Sequence, residues 1–228
     1  MNLCLPAGRL ESLNPSLRQF LEEGSMEMKK FLEKLSSGTP TPGGGSASAL
    51  AGALSGSLIA MVAGLSFKKG KTRQRGMAKI GKKALAIQKR LFRAVDEDSK
   101  SFDAVIKAFR LSKDSEEERL HRIREIQRAY QNATLTPRLV CEQSLQLLGY
   151  SRTLILKGNP NAVSDAGVAA FLADAALAGG LLNIGINLAA VTEKNFAKKM
   201  NVLMIRWARK RNDLMKAILM ELMEIHQA

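Results

Sequence analysis

The sequence predicts an all-α protein, an up-and-down helical bundle with long central helices. Three observations carry this. Gly44 to Phe67 has no charged residue, and Ala166 to Val191 has only Asp174; both are too long for strands and rich in Ala, Leu and Gly. The segments around them place apolar residues at three- and four-residue spacing, and no run alternates with the period of a strand. Aromatic residues are 5% of the chain against 46% hydrophobic, which suits closely packed helices better than a sheet.

Residues 1–25 contain Pro6, Gly8, Pro15 and Gly24 and no long apolar run. They read as a loosely packed N-terminal extension, and the missing apolar h-region argues against a secretory signal. Residues 26–228 read as a single helical domain. Met26 to Leu35 is a short amphipathic helix with Met28, Phe31, Leu32 and Leu35 on one side. Pro40 and Pro42 then favour extended backbone. Gly43, Gly44 and Gly45 permit unusual angles and close approach to the main chain, and Gly45 or Ser46 is expected to cap the next helix. An extended arm, a glycine floor and free helix N–H groups together suit an anionic or polar ligand. A plain connector has the same composition. The run is no Walker A loop and no dinucleotide fingerprint, because the required Gly-Lys-Ser/Thr and Gly-x-Gly-x-x-Gly spacings are absent.

The helix from Gly44 to Phe67 carries two stripes. Leu50, Leu54, Leu58, Met61 and Leu65 form one; Gly45, Ala49, Gly52 and Gly56 form the other. Its length would span a bilayer, and Gly52-x-x-x-Gly56 looks like a membrane packing motif. Its serines and glycines leave it only mildly apolar, so it reads as the buried central helix of a soluble bundle, with no membrane partner. Thr72 to Arg110 is a long helix or two joined ones, weakened early by Gly76 and Gly81. Asp114 or Ser115 caps the next, which runs to about Leu135. Pro137 is expected to break or kink the chain before a helix from Arg138 to about Leu156. Lys157-Gly-Asn-Pro-Asn is a stop and turn, after which Asn161 or Ser164 starts a further helix that Gly179-Gly180 is expected to interrupt. Glu193 to His226 is an amphipathic closing helix.

Formal net charge is +14, which favours an anionic partner. Lys68 to Arg93 has many basic residues and no acid, a pattern equally expected of a solvated helix face. Cys4 and Cys141 form no disulfide framework and fit a cytoplasmic location. His121 and His226 stand apart, so no metal site is expected. Four polar residues occupy unusual places. Asp165 opens a small-residue helix, where a carboxylate also favours the helix dipole. Asn183 and Asn187 share a face of an apolar helix, as ligand partners or as a packing network. Asp98 sits where the basic helix turns acidic, where an intrahelical salt pair is the simple alternative.

Three segments together are more specific. FLEKLSSGTPTPGGGSASALAGALSGSLIAMVAGLSFKKGK (Phe31 to Lys71), DEDSKSFDAVIKAF (Asp96 to Phe109) and KGNPNAVSDAGVAAFLADAALAGGLLNIGINL (Lys157 to Leu188) resemble, in order and spacing, the formiminotetrahydrofolate cyclodeaminase / methenyltetrahydrofolate cyclohydrolase family. The resemblance runs from about Met26 to the C-terminus. It departs at Lys68-Lys69-Gly70-Lys71-Thr72, where the family continues into a tyrosine, and at ATLTPRLVCEQS before and after Pro137.

The resemblance implies an all-helical homodimer acting on the N5–N10 one-carbon bridge of tetrahydrofolate. The small-residue surface of the two uncharged helices supports the dimer independently. Cyclohydrolase activity, converting 5,10-methenyl-tetrahydrofolate and water to 10-formyl-tetrahydrofolate, is favoured over the cyclodeaminase reaction that releases ammonia, because no formiminotransferase domain is fused to the chain. No cofactor is expected beyond the folate substrate. Asp165 is assigned as general acid/base and Asp98 as a second acid or structural carboxylate. Asn159, Ser164, Asn183 and Asn187 would orient substrate, Pro42 and Gly43 to Gly45 would give close backbone approach, and Lys68, Lys69 and Lys71 would hold a polyglutamate tail. A non-catalytic folate-binding protein and a basic nucleic-acid-binding helical protein are the alternatives; the latter lacks interleaved aromatics and any reading motif.

Overall fold

A computed structural model describes residues 27–66 and 71–227. The N-terminal extension and the lysines Lys68 and Lys69 lie outside the described residues, as does the side chain of Lys71. The chain divides into two compact units, residues 1–42 and 43–228.

In the first unit, α1 covers 27–35 and carries the local ion pairs Lys30–Glu27 and Lys29–Glu33. Gly38 follows at φ 75°, the left-handed region where a β-carbon is strained. Ser37 Oγ and Thr39 Oγ1 lie 3.0 Å apart, Thr39 Oγ1 donates to the Thr41 carbonyl at 3.0 Å, and the Thr41–Pro42 peptide is cis.

The second unit is entirely helical among the described residues. It comprises α2 (Gly44–Leu65), α3 (Lys71–Phe109), α4 (Glu116–Ala133), α5 (Leu135–Lys157), a 3-10 turn (Pro160–Ala162), α6 (Val163–Leu188) and α7 (Lys194–Gln227). α2 packs on α3, α5 and α6, and α5 packs on α6. Contacts at both ends set the directions. Gly45 meets Asp98 and Gly81 meets Ala63, so α2 and α3 are antiparallel; Gly44 meets Asn183 and Gly52 meets Ala176, so α2 and α6 are antiparallel as well.

α2 is the central helix of the bundle, packed on α3, α5 and α6, as the sequence suggests. It buries its small residues: Gly45, Ser48, Ala49, Gly52, Ser55 and Gly56 face the bundle. A β-carbon on Gly52 would stand 2.7 Å from Leu91 Cδ1, and one on Gly56 would stand 3.1 Å from the Ala84 carbonyl oxygen. Such spacing brings backbones together that Leu would hold apart. The leucine stripe is left outside, with Leu54, Met61 and Leu65 exposed.

Several boundaries differ from expectation. Gly43 rather than Gly45 or Ser46 is the N-cap of α2, in extended backbone and without a side-chain bond. Pro137 does not break the chain. The break falls at buried Thr134, whose amide donates to the Tyr130 and Gln131 carbonyls and whose hydroxyl donates to Tyr130 O at 2.8 Å. That places Pro137 in the first turn of α5, where a missing N–H costs little. Gly179 and Gly180 do not interrupt α6. A β-carbon on Gly180 would meet Cys141 Sγ at 2.7 Å and the Pro137 carbonyl oxygen at 3.1 Å, and one on Gly179 would overlap Ser48, so both glycines serve helix contact. α6 begins at Val163, after Asn159 has accepted the Asn161 amide and started the 3-10 turn. Of the two candidates for α4, Ser115 is the cap, in a capping box with Glu118 whose carboxyl the Ser115 amide holds below its ordinary value.

Long helices need fastening along their length. Arg211 forms a two-pronged ion pair with both oxygens of Asp174, and Arg152 donates twice to Glu221 Oε1, tying α7 to α6 and α5. Trp207 and Met200 complete an apolar cluster with Cys141, Ile184 and Leu188. Lys79, Lys82, Lys83, Lys89, Arg90 and Arg93 of the acid-free run are exposed along α3, as a solvated face would be.

Candidate functional site

The first turn of α2 meets α3 and α6 at one end of the bundle. Gly45 has no side chain, and a β-carbon there would overlap the Asp98 carboxylate. Asp98 therefore lies directly on the start of α2, bonded to the Ser46 amide and hydroxyl. The place the sequence offers to an anionic ligand is taken by the chain's own carboxylate. Ser46 is fully buried. Its Oγ stands 2.9 Å from Val95 O, 3.0 Å from Asp98 Oδ2 and 3.4 Å from Ser99 Oγ. One hydroxyl proton serves these acceptors in turn, so the group can follow a change in Asp98 charge. Burial raises the Asp98 carboxyl above the usual aspartate value, and this outweighs the lowering by the two Ser46 bonds.

α6 supplies the third wall. Asn183 Nδ2 donates to Gly179 O at 2.8 Å, and a β-carbon on Gly44 would stand 3.9 Å from the same nitrogen. Ser48 Oγ donates to Gly44 O at 2.6 Å. Asn187 points elsewhere: its Nδ2 donates to Ala133 O at 2.9 Å, holding the α4–α5 junction beside Thr134. Cys141 is buried against Leu177 O with its thiol pushed up to about 12, chiefly by desolvation, so it is no nucleophile.

The remaining assigned residues lie at the far end. Asn159 donates its amide to Ser66 Oγ at 2.9 Å and its Nδ2 to Leu65 O at 3.3 Å, closing the C-terminal end of α2. A cavity of about 660 Å³ opens there between Leu65, Ser66, Leu156, Asn159, Asn161 and Val163. Ser164 is exposed and Asp165 half-buried in the first turn of α6. At about 1.5 Å per residue, roughly 27 Å of helix separates Asp165 from Asn183. Within the chain the structure thus gathers Gly43 to Gly45, Asp98 and Asn183, and holds Asn159, Ser164 and Asp165 apart from them. Pro42 belongs to the first unit. Ser46 and Ser99 are the site groups sequence reasoning passed over; serines inside an uncharged helix were the available signal, but only folding brings Ser46 to Asp98.

A helical bundle that drives a carboxylate into a glycine-lined helix start has the parts of a proton-transfer enzyme, with an acid poised above its ordinary range and a hydroxyl relay beside it. Comparison with known proteins makes the class specific. The formiminotransferase-cyclodeaminase family model matches residues 27–204, and the chain belongs to that family. It is 33% identical over 178 residues to a methenyltetrahydrofolate cyclohydrolase from Methylorubrum extorquens, covering 77% of this chain and 86% of that one. It is 28% identical over 171 residues, 74% of the chain, to a formimidoyltransferase-cyclodeaminase from Sus scrofa, of which it spans 32%. The fold matches a solved formiminotetrahydrofolate cyclodeaminase from Thermotoga maritima with a TM-score of 0.77 and 27% identity, covering 86% of this chain and 96% of that one.

Proposed function

We propose that the protein is a methenyltetrahydrofolate cyclohydrolase. The observation that carries this reading is Asp98, half-buried against the Gly45–Ser46 start of α2 with its carboxyl raised, in a chain 33% identical over most of its length to an enzyme of that name. The methenyl bridge is a cation. A carboxylate beside it stabilises the charge and accepts a proton as water adds to the carbon. Protonation of N5 then lets the carbon–N5 bond break, leaving 10-formyl-tetrahydrofolate and a net proton. Addition and cleavage are redox-neutral, so no electron carrier is called for. Asn183 would orient the folate, and Asp165, assigned from the sequence as the general acid/base, is proposed here as a second proton-transfer group behind Asp98. The lysines Lys68, Lys69 and Lys71 are proposed to hold a polyglutamate tail, and a cytoplasmic, homodimeric enzyme is the expected form.

The likeness to the Thermotoga protein favours a second reading, closure of 5-formimino-tetrahydrofolate with loss of ammonia. N10 attacks the formimino carbon, so the same two proton transfers are needed. The deciding assay gives purified protein each folate in turn, following methenyl absorbance and ammonia. Loss of methenyl absorbance well above the spontaneous rate is expected. Ammonia release without methenyl hydrolysis would reverse the choice, and turnover of neither would reject both.

A further inference from the structure

The cations of α3 form one uninterrupted face. Arg75, Lys79, Lys82, Ala86, Lys89 and Arg93 recur every three or four residues and are all exposed, while Met77, Ala84, Ile87 and Leu91 on the opposite side are buried. Lys83 and Arg90 widen the face along one edge. At about 1.5 Å per residue it runs roughly 27 Å from Arg75 to Arg93, and Asp96 and Glu97 end it. Exposure alone fits a solvated face; the missing acids do not. Exposed cations on other helices of this chain have acid partners, Lys29 with Glu33 in α1, Arg119 with Glu116 and Arg128 with Glu125 in α4. Among the described residues no carboxylate pairs with any cation of the α3 face. Like charges four residues apart destabilise a helix, and an anion lying lengthwise along the face relieves that repulsion.

The residues beside the cations decide which polyanion fits. A helix that lies on a membrane sinks a broad apolar face into the lipid. The apolar face of α3 is already buried in the bundle, and only Leu85 and Phe92 stand out along the other edge of the cations, exposed to 46% and 59%. Phe92 is the one aromatic residue of the acid-free run, with Lys89 a turn before it and Arg93 next to it. An exposed ring set among phosphate-binding cations is a stacking surface for a nucleobase, and stacking accepts any base, so no reading motif is called for. In a duplex the base faces are covered; an unpaired strand offers phosphates and base faces together. We propose that the outer face of α3 binds single-stranded nucleic acid, with Arg75, Lys79, Lys82, Lys89 and Arg93 along the phosphates and Phe92 against a base. Asp98 is turned to the other side of the same helix, onto Ser46, so this face is separate from the carboxylate site and independent of the folate reading.

The test titrates the full chain into a fluorescein-labelled oligouridylate of roughly 16 nucleotides, and into its deoxy counterpart, at several salt concentrations. Both should bind, because phosphates and base faces are common to them, and affinity should fall steeply with salt. A variant carrying Lys82→Gln, Lys89→Gln and Arg93→Gln removes three exposed charges from the face. It should bind at least tenfold more weakly, and its salt slope should flatten by about 2, at about 0.7 per lost phosphate contact on a single strand. Phe92→Ala should weaken binding roughly tenfold and leave the salt slope unchanged, as loss of a stacked base would. A control with Lys199→Gln, Lys210→Gln and Lys216→Gln takes the same charge from exposed positions of α7 and should bind like the parent. Helical circular dichroism confirms that each variant is folded. No binding by the parent at low salt would overturn the proposal. So would equal weakening by the α7 control, which would reduce the effect to net charge. Preference for a duplex of the same sequence, or binding to phosphatidylserine vesicles with none to either oligonucleotide, would overturn it as well.

Discussion

Asp98 shows how a single carboxylate acquires a role from its surroundings. Its nearest partners are good ones, yet desolvation exceeds their effect and the carboxyl is raised. The folded state therefore holds the Asp98 proton more tightly than the unfolded chain. The stability this provides is full below the ordinary aspartate range and is lost as pH rises through the raised value. Asp98→Asn removes that loss. The variant should gain stability relative to the parent as pH rises through this window, while kcat falls by about 10²–10⁴. Urea melts across the acid range and steady-state rates check both halves. A stability difference that does not change with pH would mean that the carboxylate is not desolvated, and an unchanged kcat would remove Asp98 from the chemistry.

At the scale of an element, glycine means different things along these helices. A β-carbon on Gly149 of α5 would meet nothing within 4 Å, whereas one on Gly180 of α6 would press on Cys141 and on the Pro137 carbonyl. Gly149→Ala should stabilise by about 0.5–1 kcal/mol through backbone propensity. Gly180→Ala gains the same propensity but has to separate two helices, and overpacking of that kind costs about 1–3 kcal/mol, so net destabilisation is expected. Thermal unfolding of the two variants tests the contrast; equal shifts would contradict the helix contacts. The same physics explains which boundaries could be read in advance. The capping box at Ser115 and the turn at Gly158-Asn159 are local and legible. The break at Thr134 and the continuity of α6 through Gly179-Gly180 depend on neighbouring helices, so Pro and Gly misled.

At the scale of the whole molecule, the proposed homodimer would cover the exposed apolar residues of α2 and α6, Leu182 and Ile186 among them. A glutamate placed among apolar residues at an interface has to be desolvated without a partner. Ile186→Glu should therefore yield a monomer by light scattering with helical circular dichroism retained. A dimer that survives the substitution would move the interface to another surface. The lysines after α2 make a gentler claim. Exposed charge pairs are individually weak and fade with salt, so any preference for polyglutamate should build gradually with chain length and diminish at high ionic strength.

The sequence by itself determined the class of the fold and the family. Helical periodicity, two uncharged runs and three ordered motifs are properties of neighbouring residues, and they carried through to an antiparallel helical bundle matching the family from residue 27 to 204. It also marked Gly43 to Gly45, Asp98, Asp165 and Asn183 as unusual. What only the tertiary structure decided was which of these meet, and which side of α2 faces inward. A small-residue stripe and a leucine stripe are both apolar, so hydropathy cannot rank them; close backbone approach across Gly52 and Gly56 can, because only there do α3, α5 and α6 fit. Asp98 reaches Ser46 because two long helices run antiparallel, and Asp165 misses both because α6 is unbroken over 26 residues.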